Sequence, residues 1–328
     1  MTDVVKKISE MRDSPFVREK ELGGGISSFN FTRNAFYDGH WDEQTITARG
    51  LFIDTTLNKV ICRGYPKFFR YEEQGIDKEF LKKKIAFPVK VFQKENGFLG
   101  LFTSRNHRPI FATKSQTEGP YNNYFSECMR KSVSNAVIQK MADYCEKNDC
   151  TLLFEVIDMV NDPHIIEYEK PYNVVLLDAV QNDMSFSKIS YSELKKLGKE
   201  FGVKVKMLSK ILYSFDELFS FIDKNMEEQP FAYYLDSNNK IEGYVLEDKN
   251  GYMFKLKTQY YSFWKFMRSV AGSTVKYGEY KHKGRFVGNE AAEKFYLWLL
   301  LHKNDKKIAE MASKNQIIEI RKAFVNSV

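Results

Sequence analysis

Residues 87–102 read FPVKVFQKENGFLGLF. The apolar, β-branched start suits a strand, and Glu95-Asn96-Gly97 supplies the turn that ends it. Lys94 therefore stands at a strand end beside a tight turn, a placement that suits a nucleophilic amine. Alone, Lys-x-Asn-Gly is a weak signal, because surface turns often hold these residues. Three further pieces follow it in order: Phe154-Glu155, Glu242-Gly243 and Lys255-Leu256-Lys257.

The chain has 328 residues, enough for two domains and a sizeable core, with 43% hydrophobic and 28% charged residues, as expected of a soluble globular protein. The apolar run Phe295–Leu301 is too short to cross a bilayer, and the opening MTDVVKKISEMRD has no apolar signal core. The expected location is the cytoplasm. Cys62, Cys128, Cys145 and Cys150 form no C-x-x-C pair and are expected to be reduced structural thiols. The five histidines show no metal-ligand spacing, so a zinc site is not expected.

Net charge is +7, and residues 259–328 alone carry 13 Lys and Arg against 6 Asp and Glu. The other residues sum to zero. A basic last fifth suggests a polyanionic partner, most simply nucleic acid.

Residues 45–258 read as short strands and turns with a few helices. TITARGLFID (45–54), KVICRGYPKFF (59–69), PVKVFQKENG, FLGLFTS and PIFATKSQ are β-rich runs bounded by Gly, Pro, Asn or Asp. Val133, Val137, Met141 and Cys145 predict a helix over 126–147. SYSELKKLGKEFG (190–202) predicts another, opened by a Ser cap with Glu193 behind it and closed by Gly202. SFDELFSFIDKN (214–225) predicts a third helix. IEGYVLED and GYMFKLKT read as a hairpin turned at Lys249-Asn250-Gly251. From Tyr260 the period becomes helical, which puts a domain boundary near 258. Gly23-Gly24-Gly25 lacks the spacing of a phosphate loop and reads as a flexible turn.

An ordinary lysine has a pKa near ~10.4, so attack on phosphorus requires Lys94 to lose a proton. Burial and nearby cations both favour the neutral amine. Lys255 and Lys257 supply such charge and share one face of a strand, with Leu256 on the other. The same two ammonium groups suit stabilisation of charge on a phosphate. Glu155 is either a strand-end cap or an acceptor for a ribose hydroxyl. At Glu242-Gly243 the glycine admits a ligand close to the backbone, and the carboxylate suits a divalent cation.

This ordered set resembles the covalent nucleotidyltransferase superfamily of ligases and capping enzymes, and within it the phage-type tRNA-repair RNA ligases, the RNA ligase 1 family. The likeness extends to TARGLFID at 47–54, YPKFF at 65–69, ATKS at 112–115, YNVVLLDA at 172–179 and the TQYYSFWKF run after Lys257. It covers about residues 45 to 265. The resemblance implies an α+β fold: a nucleotidyltransferase (ATP-grasp-like ligase) core of antiparallel sheets with helices over 1–258, then a small helical, basic domain over 259–328. It implies ATP with Mg²⁺ or Mn²⁺ and a three-step reaction through lysyl-AMP and RNA-adenylate. Lys94 is then the nucleophile, with Glu242, Lys255 and Lys257 completing the catalytic set. Glu155 binds the ribose, and Glu242 and Glu155 face metal. Arg49 and Lys67 grip the outer phosphates. Gln93, Glu95, Gly97, Lys114, Tyr172 and Val245 join the nucleotide site. The implied partner is a structured, tRNA-like RNA, acted on by a monomer, with a kinase-phosphatase preparing the ends upstream.

Position 96 is Asn where many ligases carry Asp, an exchange shared with tRNA ligases of fungal type. Two other readings compete. A DNA ligase or capping enzyme usually carries an OB-fold after the Lys-x-Lys strand, whereas this tail reads helical. A non-catalytic RNA-binding relative would be expected to lose charged site residues first.

Overall fold

A computed structural model describes residues 3–237, 240–285 and 288–327. Its strands are β1 Val17–Gly23, β2 Ile26–Phe31, β3 Leu51–Asp54, β4 Lys59–Arg63, β5 Val89–Lys94, β6 Phe98–Arg105, β7 Arg108–Ala112, β8 Cys150–Asp158, β9 Tyr172–Gln181, β10 Lys204–Val205, β11 Leu208–Leu212, β12 Gly243–Glu247 and β13 Met253–Lys257. The chain forms two compact units that interleave in sequence. One holds 1–69, 97–158 and 170–206; the other holds 70–96, 159–169 and 207–328.

The first unit carries a sheet ordered β1-β2-β3-β4 and a second ordered β10-β9-β8-β6-β7. All pairs in both are antiparallel except the two-residue β9–β10 pair. Every residue of β8 is buried, because helices Pro120–Ser132 and Asn135–Asn148 pack on one face of this sheet and β4 lies against the other. The expected helix over 126–147 is two helices. Val133 is extended (φ −142°, ψ 161°), and the Ser134 hydroxyl caps the second helix by accepting from Val137 N–H. A local cap here overrides the apolar period. The start of TITARGLFID is also not strand: Asp42 caps a short helix, Glu43–Thr47, before β3 begins at Leu51. Gly23, Gly24 and Gly25 all have positive φ and turn the β1–β2 hairpin. The four cysteines are buried and free.

The second unit is built on the antiparallel sheet β11-β5-β12-β13. The expected hairpin turns as predicted: Gly251 has φ 86°, and the Asp248 carboxylate accepts from Asn250 N–H and Tyr252 N–H. From Gln259 onward the described residues are helical: Gln259–Tyr277, Glu290–His302, Lys306–Ser313 and Ile317–Val325, with one 3₁₀ turn. Their shared core contains Trp264, Phe295, Leu299 and Phe324. Asn315, with φ 57°, separates the helix Lys306–Ser313 from Ile317–Val325. Among the described residues no helix is long and apolar enough to cross a membrane.

Candidate active site

In the second unit, register decides which side chains meet. Lys94 of β5 lies opposite Gly243 of β12, which lies opposite Lys257 of β13. Residues directly opposite share a face, so both lysines rise on one side with no side chain between them. Gly243 has φ 152°, and a Cβ there would overlap the Leu256 carbonyl oxygen. The next row on this face is Phe92, Val245 and Lys255. Lys255 and Lys257 thus share Lys94's face, as the alternation predicts, and Val245 forms part of its floor. Gln93 falls on the opposite face, and its N–H donates to the Met207 carbonyl.

Glu242 is the hub of this row. It is 4% exposed. Its Oε1 takes Lys94 Nζ at 3.0 Å and also pairs with Lys257 Nζ. Its Oε2 accepts from Asn96 Nδ2 at 2.7 Å. Burial alone would raise the Glu242 carboxyl, but Lys94 and Lys257 outweigh it and hold it at about 2. Burial and the Lys94 charge push Lys257 down to about 8, against the pull of Glu242. Lys257 also lies over the Tyr261 ring at 4.7 Å.

In the sequence Asn96 stands out as a turn residue and as a departure from Asp. Its Oδ1 accepts from Ile165 N–H (3.0 Å) and Ile166 N–H (3.1 Å), so its amide nitrogen must face Glu242. An Asp here would keep both backbone bonds but set a second carboxylate against the first. Asn96→Asp is expected to lower the yield of any Lys94-dependent covalent adduct by about 10- to 100-fold at neutral pH, since like charges at this distance cannot both ionise freely. Quantifying adduct in both proteins checks this; equal yields would show that the amide is dispensable.

The same turn is tied to the segment 165–168. Tyr168 Oη accepts from Asn96 N–H at 2.7 Å and donates to Glu95 Oε2 at 3.0 Å. Arg321 Nη1 donates to the Ile165 carbonyl at 3.1 Å, from the helix Ile317–Val325. Sequence reasoning missed Tyr168 and Arg321. They are far from Lys94 along the chain, and neither stands in a motif.

The first unit holds the other expected residues. Gly97 N–H donates to Glu155 Oε1 at 2.9 Å, and a Cβ at Gly97 would overlap the Val156 carbonyl oxygen. Glu155 is thus engaged with the backbone of Gly97. Arg49 Nη1 donates to the Tyr65 carbonyl at 3.1 Å. Lys114 lies near it: crowding of its head by protein, then the Arg49 charge, lowers its pKa. Lys67 Nζ lies over the Phe69, Trp41 and Phe36 rings at 4.4, 5.2 and 5.7 Å. The ring of Tyr172, at the start of β9, has Lys131 Nζ above it at 3.4 Å.

Among the described residues no three His, Cys, Asp or Glu side chains cluster as a metal cage. Glu242, ionised at neutral pH, has the hard oxygen donors that a Mg²⁺-type ion takes, and such ions typically use one or two carboxylates plus substrate phosphates.

The chain is 24% identical to a tRNA ligase of Candida albicans, over its whole length but only 45% of that protein's. The chain thus spans less than half of this relative. Its fold matches an archaeal ATP-dependent RNA ligase (TM-score 0.55, 14% identity, 98% of this chain and 78% of that one). It matches equally an Aquifex aeolicus protein assigned as an ATP-dependent DNA ligase (TM-score 0.54, 13% identity, 98% and 78%). The shared fold is the nucleotidyltransferase fold, which does not separate RNA from DNA as substrate. Residues 47–261, well over half of the chain, match the profile described as RNA ligase, of the T4 type. This chain belongs to the RNA ligase family.

Proposed function

We propose that this chain is an ATP-dependent RNA ligase joining RNA 3′-hydroxyl and 5′-phosphate ends, in tRNA or other RNA repair. The observation that carries this reading is the row Lys94–Gly243–Lys257 with Glu242 beneath it. One amine stands at a strand end beside a second cation, over a backbone made approachable by glycine.

In the first step Lys94 Nζ forms a bond to the α-phosphorus of ATP as the bond to pyrophosphate breaks. The electron pair leaves with pyrophosphate, and the amine proton goes to solvent. Glu242 opposes that proton loss while it pairs with Lys94, whereas Lys257 favours it. Mg²⁺ or Mn²⁺, held at Glu242 with Glu155 as a second candidate, would supply positive charge that offsets the carboxylate and the phosphates. Lys255 and Lys257 hold the α-phosphate. Arg49 and Lys67 take the outer phosphates, with Lys114 beside Arg49, and Glu155 takes the ribose. Gln93, Glu95, Gly97, Tyr172 and Val245 complete the nucleotide site. AMP then passes to the RNA 5′-phosphate, and the 3′-hydroxyl displaces it.

The division into an adenylyltransferase part, 1–258, and a basic helical RNA-binding part, 259–328, belongs to this reading. So do a cytoplasmic monomer and a kinase-phosphatase acting upstream. The likeness to the Candida albicans tRNA ligase supports a tRNA-like substrate. Offering labelled 5′-phosphorylated RNA and DNA strands separately with ATP tests the reading. Joined RNA with DNA left unjoined is expected. Joining of DNA alone would favour the DNA ligase reading.

A further inference from the structure

Residues 18–33 build one wall of a cavity that also reaches Arg49 and Lys114. It has a volume of about 730 Å³ and lies wholly within the first unit. Five cations line it: Arg18, Lys20, Arg33, Arg49 and Lys114. No acidic side chain does so, and among the described residues none of the five is ion-paired with a carboxylate. Glu155 attracts Arg49, but the gathered like charges otherwise repel one another, so a bound anion favours the cluster.

The hairpin arranges them. Arg18 and Lys20 are two apart on β1 and share a face, opposite Asn30 and Ser28 of β2. Ser28 Oγ donates to the Ser115 carbonyl at 3.0 Å, which ties this face to the loop bearing Lys114. Arg49 is half-buried, while Arg18, Lys20 and Arg33 are exposed. Exposed aromatic rings adjoin them. Phe31 lines the cavity and packs edge-on against Trp41 at 5.1 Å; Trp41 packs in turn against Phe36. Phe36 and Tyr37 are 52% and 79% exposed, on the helix that begins at Arg33.

We infer that this cavity and its aromatic rim bind the phosphodiester backbone of single-stranded RNA near the end to be joined, with bases stacking on Phe36 and Tyr37. Cations interleaved with exposed rings are what such strands require, because the phosphates need charge and unpaired bases need flat apolar faces. Phe36 and Trp41 already lie under Lys67, but a nucleotide's polyphosphate alone would leave the exposed Tyr37 ring without a role. The inference rests on the RNA ligase reading. It differs from the expectation that the C-terminal helices hold the RNA, since these residues lie at the other end of the chain.

The test compares the wild type with the triple variant Arg18→Gln, Lys20→Gln, Arg33→Gln, using a fluorescent single-stranded RNA with a 5′-phosphate. Binding is measured across a salt series, and covalent AMP uptake from ATP is measured in parallel. The inference expects AMP uptake within about twofold of wild type and RNA binding weakened at least tenfold at low salt. The slope of log K against log salt should shrink by about 2, given about 0.7 per phosphate released on a single strand. Phe36→Ala with Tyr37→Ala should weaken binding without changing that slope. Unchanged RNA binding in the triple variant overturns the assignment. So does lost AMP uptake with RNA binding intact, which would give the cavity to ATP. If the triple variant fails to fold, Lys20→Gln alone carries the test, with a slope change of about 0.7 expected. A wild type that neither takes up AMP nor binds RNA would instead sink the ligase reading itself.

Discussion

Lys94→Ala will retain no AMP after denaturation, a loss of at least about a thousandfold in covalent uptake, because no other amine occupies its place. Lys257 is the nearest alternative, yet it stands two strands away and is held on Glu242. Lys94→Arg gives the sharper result. It keeps a cation for Glu242, so the fold should hold, but a guanidinium does not deprotonate. Arginine should therefore be as inactive as alanine while melting close to wild type. Residual uptake by either variant, mapped to another lysine, would relocate the nucleophile.

Glu242→Gln will be the other severe change, and it will act on stability as well as activity. The substitution leaves Lys94 and Lys257 half-buried together without their shared counter-charge. Removing one partner of a buried ion pair costs ~3–5 kcal/mol. The pKa of Glu242 falls from 4.5 to about 2 on folding, which gives a contribution on the order of 3 kcal/mol. A depressed carboxyl stabilises the fold above its unfolded pKa, and that stabilisation is lost as pH falls through the folded value. The wild type should therefore exceed Glu242→Gln in stability at neutral pH, and the gap should narrow below about pH 4.5 and close toward pH 2. Denaturant unfolding of both proteins at neutral and acid pH, without divalent cations, checks this. AMP uptake should fall at least about a hundredfold, since Lys94 loses its anchor and the cation its carboxylate. A gap independent of pH would mean that Glu242 does not carry its charge in the folded protein.

The sequence exposed this site to the extent that strand alternation is local. Lys94 at a strand end, Lys255 and Lys257 on one face, and the Asp248–Gly251 turn follow from period two and turn chemistry, and the structure has them. Which rows align is not local. That Gly243 falls between Lys94 and Lys257 needs the register of three strands drawn from separate parts of the chain. The same limit hid Asn96's partners at 165–166 and the reach of Arg321 to Ile165. A helix end is hidden where one capping residue, Ser134, outweighs a continuous apolar period. The placement of charge is hidden for a different reason. Residues before 259 sum to zero, yet five cations gather in one cavity there, since a sum along the chain carries no information about position in space.

The most direct test of the central claim is to incubate the wild-type protein with ATP labelled at the α-phosphate and a divalent cation, digest it, and identify the modified peptide. The expected result is one labelled peptide containing Lys94, with the label released by acid and retained in alkali as a phosphoramidate is. Label on any other residue, or a protein that binds ATP and gains no covalent label, would contradict it.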